Sequence, residues 1–317
     1  MKNKKITTIT VSVLATCSLI IGVSYYMGKL VYDSSVGSSQ KIEEDEMVAV
    51  YGSRDGKPLD KLDEYKHTNL MIKSPKNNYE VQAKFIECPT KSENTVILVH
   101  GIESNYNEYI FYADEYLKKG YNVMLYNQRN TSLTGGDNYT FGLYERFDLD
   151  SVVKHVNSKF PDGKIIVQGF SMGAGTTAMH SELNEKDKLV DLYVIEGPYS
   201  RMSDAIGLGI DAENIPVIPT DYLKYWGNIY TNIKDGFGYD DVNPYTAVQK
   251  ITTPMMIIHG LDDTVCAPEN SQEIFDNIPH DNKELWLIEN SAHITAWDDT
   301  GDEYFKRIFA FIDKNLK

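Results

Sequence analysis

The sequence of 317 residues predicts an α/β domain built on a mostly parallel sheet, preceded by one N-terminal membrane helix. Three observations support this prediction. Short runs rich in β-branched residues alternate with amphipathic stretches beyond about residue 60. An uncharged run covers Ile6–Gly28. A Gly-x-Ser-x-Gly motif around Ser171 stands between a predicted strand and a predicted helix.

The composition is that of a globular protein, with 42% apolar and 24% charged residues. This excludes a disordered, collagenous or polytopic membrane chain. The 31 basic and 46 acidic residues give a net charge of −15, so the chain lacks the basic patch that nucleic acid requires and we expect no nucleic-acid partner.

The N-terminal run begins after Lys2, Lys4 and Lys5, and its 23 residues are enough to span the ~30 Å hydrocarbon core of a bilayer. Lysines ahead of such a helix stay in the cytoplasm, so we expect a single-pass cell-membrane protein whose remaining residues are extracytoplasmic. A cleavable signal peptide, cut near Gly22 or Ser24, is the alternative and would give a secreted protein.

The sequence divides into three predicted parts. Residues 1–30 form the predicted anchor, and residues 31–60 form a polar spacer that includes the acidic run Glu43–Glu46 and lifts the domain off the membrane. Residues 61–317 form the predicted α/β domain, with a cap insertion at about 201–250. Some fifty residues separate two predicted strands there, where a crossover needs about a dozen.

The periodicity of the domain predicts its elements one by one. The predicted strands are Leu70–Lys73, Tyr79–Glu87, Thr95–His100, Asn122–Tyr126, Lys164–Gln168, Leu189–Glu196, Met255–His259 and Glu284–Ile288. The predicted helices are Asn107–Lys119, Leu143–Lys159, Ser171–Asn184, Pro268–Asn277 and Asp302–Asn315. A turn-forming cluster joins the first two strands, which predicts an antiparallel hairpin.

The Gly169–Gly173 motif places Ser171 on a sharp turn at the carboxyl end of a strand, as a nucleophilic serine requires. A serine needs a base, and the base needs an orienting acid. His293 follows the last predicted strand, and Asp262 and Asp263 follow the strand before it. The spacing from His259-Gly260 favours Asp263 over Asp262. We therefore predict Ser171, Asp263 and His293 as catalytic residues.

A tetrahedral intermediate also needs backbone N–H donors for its oxyanion. We assign these donors to the amides of Ile102, which follows His100-Gly101, and of Met172. His100 and His259 are interpreted as packing or hydrogen-bonding residues. We expect no metal, because no Cys or His cluster has ligand spacing. The cysteines are interpreted as unpaired, and Cys88 and Cys266 are the one pair that a disulfide could join.

These residues resemble the α/β-hydrolase superfamily, from about Leu70 to the carboxyl terminus. The segments that carry the resemblance are Val99–Gly101, Tyr126–Arg129, Thr140–Gly142 with Glu145 and Asp148, Gly169–Gly173, His259-Gly260 with Asp263, and Ala292-His293. They look like the exported or membrane-anchored serine hydrolases of Gram-positive bacteria and like the serine aminopeptidase/acylglycerol lipase group. The resemblance implies an eight-stranded sheet, a helical lid, no cofactor and hydrolysis of an ester or related acyl bond.

The predicted function is that of a serine hydrolase acting on a short or medium acyl ester, a small-molecule substrate, through Ser171, His293 and Asp263. A peptidase or an acyltransferase on the same fold is one alternative. A non-catalytic surface-binding protein is another. The sequence predicts no oligomeric state.

Overall fold

The computed structural model describes residues 2–37, 53–54, 57–58 and 65–316. Side chains are described for residues 14–37 and 65–316. The acidic run Glu43–Glu46 of the predicted spacer, and most of residues 38–64, lie outside the described residues. A two-residue pairing joins Ser53–Arg54 to Lys57–Pro58.

An eight-stranded sheet forms the centre of the domain. Its strands are β1 His67–Ser74, β2 Tyr79–Ile86, β3 Thr95–Val99, β4 Asn122–Tyr126, β5 Ile165–Phe170, β6 Leu192–Glu196, β7 Met255–Gly260 and β8 Lys283–Ile288. Their order is β8-β7-β6-β5-β3-β4-β2-β1. Strand β2 pairs antiparallel with β1 and with β4, and the other neighbours are parallel. The predicted hairpin and the mostly parallel eight-stranded sheet are confirmed.

The inner strands are apolar on both faces because helices cover both faces. Every residue of β3, β4, β5, β6 and β7 is buried. The edge strand β1 alternates between exposed and buried positions along its second half. Because the strands from β3 to β8 run parallel to one another, their carboxyl ends lie at the same end of the sheet. That end of the sheet carries the predicted site residues.

Ten helices are present in the described part of the chain. They are α1 Lys2–Asp33, α2 Ile110–Lys119, α3 Glu145–Lys159, α4 Met172–Asp187, α5 Met202–Ala212, α6 Thr220–Asp235, α7 Pro244–Ala247, α8 Pro268–Asn277, α9 Ala296–Thr300 and α10 Asp302–Asn315. Short 3-10 turns cover Tyr106–Tyr109, Tyr239–Asp241 and Val248–Lys250. Helices α2 and α10 pack on one face of the sheet, and α3, α4 and α8 pack on the other.

Helices α5 and α6 lie within residues 201–250, the segment predicted as a cap, and are called the cap here. A third apolar cluster joins them to the residues above the sheet edge, including Met172, Tyr199 and Cys266. Cap residues Met202 and Leu223 are fully or almost fully buried in this cluster. The cap therefore packs directly on the segment that carries Ser171.

The N-terminal helix α1 continues five residues past Gly28, and its last turns pack against α6. Its segment Leu14–Asp33 has a mean hydropathy of 1.4 and is long and apolar enough to cross a membrane. Within this apolar segment, 17% of the residues are buried in the protein. Val31, Tyr32 and Val36 are buried in the same cluster as the cap. The end of α1 is thus part of the packed domain.

Candidate active site

Ser171 lies on a strained turn between β5 and α4. Its backbone has φ 53° and ψ −118°, a conformation that is costly for a residue with a side chain. Its amide donates to the carbonyl of Glu196 on β6 at 2.9 Å, and its carbonyl accepts from the amides of Ala174 and Gly175. These bonds fix the turn from both sides, so that the hydroxyl is presented at the sheet edge.

Two glycines permit this turn because the backbone passes close to its neighbours there. A β-carbon at position 169 would lie 2.3 Å from the carbonyl oxygen of Gly173, and one at position 173 would lie 2.2 Å from the carbonyl oxygen of Val99. No side chain fits at such distances. The two glycines of the motif are therefore required by packing as much as by backbone conformation.

The structure brings Ser171, His293 and Asp263 into one hydrogen-bonded chain. His293 Nδ1 lies 2.6 Å from Asp263 Oδ2, and His293 Nε2 lies 2.8 Å from Ser171 Oγ. With Nδ1–H donating to the carboxylate, Nε2 is left to accept the serine proton. Ser171 is 8% exposed, and Asp263 is 6% exposed.

A backbone hydrogen bond joins the loop after β7, which carries Asp263, to the loop after β8, which carries His293. The amide of Asp262 donates to the carbonyl of Ser291 at 2.9 Å. Gly260 allows this approach, since a β-carbon there would lie 2.2 Å from the Ser291 carbonyl oxygen. The side chain of Asp263 points into the site, whereas Asp262 is exposed. The geometry thus separates the two adjacent aspartates that the sequence left open.

Asp263 is held in its ionised form. Burial raises the pKa of its carboxyl, but hydrogen bonds from His259, His293 and the amide of Cys266 outweigh burial and hold the pKa well below its usual range. Asp263 Oδ1 accepts from the amides of Val265 and Cys266 at 2.8 and 2.9 Å. The carboxylate is therefore both oriented and charged where it meets His293.

His259 is a second histidine on the same carboxylate. Its Nε2 lies 3.1 Å from Asp263 Oδ2 and 2.9 Å from the carbonyl oxygen of Cys266, and its Nδ1 lies 2.6 Å from Ser271 Oγ. Both neighbours of Nε2 are acceptors, so Nε2 carries the proton and Nδ1 accepts from the serine. The sequence analysis interpreted His259 as a hydrogen-bonding residue without identifying Asp263 as its partner.

The loop after β3 lies against the serine. A β-carbon at Gly101 would lie 3.4 Å from Ser171 Cβ and 3.9 Å from Ser171 Oγ. His100 Nδ1 lies 2.6 Å from the carbonyl oxygen of Gly101, and His100 Nε2 accepts from the amide of Gln128 at 2.8 Å. Burial lowers the pKa of His100 to about 4, so the imidazole is neutral at pH 7.

Glu196 is a buried acid beside the site that sequence reasoning did not single out. Its carboxylate accepts from the amide of Ala296, three residues past His293, and from the hydroxyl of Tyr304. Burial raises its pKa to about 7. The sequence signal that could have identified Glu196 is its position as an acidic residue at the end of the apolar strand β6. The carboxyl ends of parallel strands often carry functional groups.

The cap covers the site. Two cavities, of about 300 and 570 Å³, lie at the cap, and neither is lined by Ser171, Asp263 or His293. Ser171 is 8% exposed, and its neighbour Met172 is buried in the apolar cluster that includes cap residues. The cap therefore packs over the segment that carries the serine.

Solved structures of other proteins have a fold similar to that of this chain. The esterase Pf2001 of Pyrococcus furiosus is similar in structure, with a TM-score of 0.65 and 25% identity, over 81% of this chain and 96% of that one. Fold and relatives define the chain as a hydrolase of the α/β-hydrolase superfamily. It belongs to the family described as serine aminopeptidase, S33, whose pattern matches residues 90–229 and 244–300.

Two further relatives are similar in sequence. The uncharacterized protein YqkD of Bacillus subtilis is 26% identical over 237 residues, which are 74% of this chain and 76% of that protein. The polyketide transferase af380 of Aspergillus fumigatus is 25% identical over 243 residues, covering 63% of this chain and 82% of that protein.

Proposed function

We propose that this protein is a serine hydrolase that cleaves a carboxylic ester with a short or medium acyl chain. The observation that carries the proposal is the hydrogen-bonded chain from Ser171 through His293 to Asp263. An imidazole between a hydroxyl and a buried carboxylate is the arrangement that activates a serine nucleophile. Similarity to an esterase of Pyrococcus furiosus supports an ester as the substrate.

In this mechanism Ser171 Oγ attacks the acyl carbon while its proton passes to His293 Nε2. Asp263 keeps the imidazole in position and stabilises its positive charge. Collapse of the tetrahedral intermediate breaks the ester bond, and His293 gives its proton to the departing alcohol. Water then attacks the acyl-enzyme with His293 as base, which releases the acid and restores the serine.

The oxyanion is assigned to the amides of Ile102 and Met172. The peptide group between residues 101 and 102 is planar and trans, so its carbonyl and its N–H point in opposite directions. His100 Nδ1 lies 2.6 Å from the carbonyl oxygen of Gly101, so the amide of Ile102 points away from His100, and Gly101 itself lies against Ser171. This supports the assignment of that amide as a donor.

We assign helix α1 as a retained membrane anchor with the hydrolytic domain on the extracytoplasmic side. Lysines precede the apolar run, and Leu14 and Leu19 of that run are 61% and 68% exposed. The apolar run of 23 residues exceeds the ~7–15 residues of a typical signal-peptide core, which favours an anchor over a cleaved signal peptide.

Labelling of the full chain with a fluorophosphonate tests the assignment of the nucleophile. Wild type is expected to gain one adduct by intact mass and to turn over an aryl ester of a short acid. Ser171→Ala and His293→Ala are expected to show neither. Ester turnover by Ser171→Ala at the wild-type rate would contradict the proposal. The same mass measurement reports whether the N-terminal helix is retained.

A second candidate function is acyl transfer, supported by the similarity to a polyketide transferase of Aspergillus fumigatus. The same acyl-enzyme would then be attacked by an alcohol instead of water. Adding a short alcohol to the ester assay and measuring the new ester against the free acid distinguishes the two outcomes.

A further inference from the structure

The end of α1 and the start of α6 pack as one unit. The hydroxyls of Ser24 and Tyr222 are hydrogen bonded, and the rings of Tyr25 and Tyr32 both contact Tyr230, at 4.9 and 5.1 Å between centroids. The main chain of Gly28 lies against Trp226, where a β-carbon on Gly28 would meet the Trp226 carbonyl oxygen at 2.2 Å. The two helices are therefore in close contact along about two turns.

The contacts advance in the same direction along both helices. Ser24 meets Tyr222, Gly28 meets Trp226, and Tyr32 meets Tyr230. The beginning of α6 and the turn before it consequently lie towards the N-terminal, apolar end of α1. The cap cannot lie far from the level at which α1 leaves the membrane.

That end of the cap is apolar and exposed. Val217 is 100% exposed, Tyr225 is 60% exposed, and Ile215 and Tyr222 are 42% and 38% exposed. Large apolar side chains this exposed, grouped at one end of the cap, mark an interaction surface. Tyrosine and tryptophan are also the residues that favour the boundary between lipid and water. We name Ile215, Val217, Tyr222 and Tyr225 the cap tip.

We propose that the cap tip docks in the interface of the bilayer that α1 crosses, so that the cap of this hydrolase is a membrane-contacting element. The inference rests on the proposed anchor and goes beyond the proposed ester chemistry. Of the predicted spacer, residues 31–37 are described, and Val31, Tyr32 and Val36 among them are buried in the cluster that includes cap residues.

Apolar insertion drives this docking, and electrostatic attraction does not. Asp211, Glu213 and Asp221 are exposed beside the cap tip, and only Lys224, which pairs with Asp221 at 3.2 Å, offsets them. The whole chain carries a net charge of −15. An anionic surface would repel this face, so a neutral lipid such as phosphatidylcholine is the expected partner and added salt should change little.

Docking has a consequence for substrate entry. Helix α6, whose start carries Tyr222 and Tyr225, also supplies Leu223, which packs in the cluster over the segment of Ser171. A movement of the cap tip into lipid would therefore move the helix that packs over the segment of Ser171. An ester whose acyl chain resides in the bilayer would meet the enzyme where its cover lies.

A fluorescent label on the cap tip tests the proposal in the full chain. Cys17→Ser removes the exposed thiol, and Cys88 and Cys266 are buried, so Val217→Cys is labelled selectively with an environment-sensitive dye. In phosphatidylcholine nanodiscs we expect a blue shift and quenching by lipids spin-labelled near the headgroup. Lys306→Cys, on α10 with a 77% exposed side chain, is the control and should show neither.

A second pair of variants tests the role of the helix contact. Gly28→Val forces a side chain against Trp226, whereas Gly22→Val on the same helix meets nothing within 4 Å. We expect Gly28→Val to lose most of the lipid quenching at position 217 and Gly22→Val to keep it. Turnover of an ester dissolved in the nanodisc should fall with the quenching, while that of a water-soluble ester should not.

The outcomes separate the two proposals. Fluorophosphonate labelling of Ser171 with a water-like dye at position 217 overturns the docking proposal and leaves the hydrolase intact. Lipid quenching without labelling overturns the hydrolase and leaves the docking. A blue shift that depends on protein concentration in detergent, without lipid quenching, identifies a second copy of the chain as the occupant and also overturns the docking proposal.

Discussion

The imidazole Nδ1 of His100 lies 2.6 Å from the carbonyl oxygen of Gly101, the residue whose peptide group carries the amide of Ile102. Because that group is planar, the histidine sets the direction of an amide that it does not touch. The other ring nitrogen accepts from Gln128. His100 is therefore a positioning residue for the proposed oxyanion site, and its two contacts are separable by substitution.

Asparagine and glutamine at position 100 should differ in activity. The amide of His100→Asn reaches the place of Nδ1 and keeps a donor for the Gly101 carbonyl, whereas that of His100→Gln reaches towards Nε2. We expect His100→Asn to retain more kcat for a short ester, with His100→Gln losing about 10- to 100-fold, since a misaimed donor removes part of the oxyanion stabilisation. Equal activity of the two variants would contradict this role.

The buried histidines predict a loss of stability in mild acid. Burial lowers the pKa of His100 to about 4 and that of His180 to about 3, so the folded protein takes up their protons later than the unfolded chain, which does so near 6.5. Stability is fully present above pH 6.5 and falls as the pH drops towards 4. Urea unfolding from pH 7.5 to 4.5 measures this slope, and His100→Asn should reduce it.

Glu196 predicts a dependence of the opposite sign. Its folded pKa of about 7 lies above the ordinary glutamate value of 4.5, so its contribution to stability is present below pH 4.5 and is lost as the pH rises through 7. Glu196→Gln removes this titration, and Gln accepts from the Ala296 amide as Glu does. We expect the variant to gain stability relative to wild type between pH 6 and 8. A wild-type slope unchanged by the substitution would refute the assignment.

The two adjacent aspartates should behave differently. Asp263→Asn replaces the carboxylate that meets His293 at 2.6 Å, and kcat should fall by roughly 10³- to 10⁴-fold with little change in KM. Asp262→Asn alters an exposed side chain one residue away and should leave kcat at the wild-type level. Similar losses in both variants would mean that the loop, and not the carboxylate, is what matters.

The tight backbone contact at Gly173 should make it intolerant of a methyl group. A β-carbon there meets the Val99 carbonyl oxygen at 2.2 Å, so Gly173→Ala should lower the free energy of unfolding by about 1–3 kcal/mol and reduce fluorophosphonate labelling. Gly209 on α5 is exposed and has open space around it. Gly209→Ala should therefore raise the free energy of unfolding by up to about 1 kcal/mol. Thermal or urea unfolding of the two variants checks both values.

Much of the fold was predictable because its signals are local. Runs of β-branched residues such as those in β3 and β5 are buried on both faces, and all eight predicted strands are present. Helix α9 was not predicted, since its five residues are too few to show a period. The spacing of the motifs selected Ser171, Asp263 and His293, and these three side chains lie in hydrogen-bond contact.

The sequence by itself determined the class of the fold, the strained turn at Ser171 and the apolar character of α1, because each depends on neighbours along the chain. Tertiary structure alone decided three other features. His259 reaches Asp263, Glu196 reaches Ala296, and α1 packs on α6. The first contact depends on how the loop after β7 folds, and the other two join residues that are distant in sequence. The sequence of an apolar helix is the same whether lipid or protein covers it. Only the assembled chain shows that the predicted anchor and the cap are one packed unit.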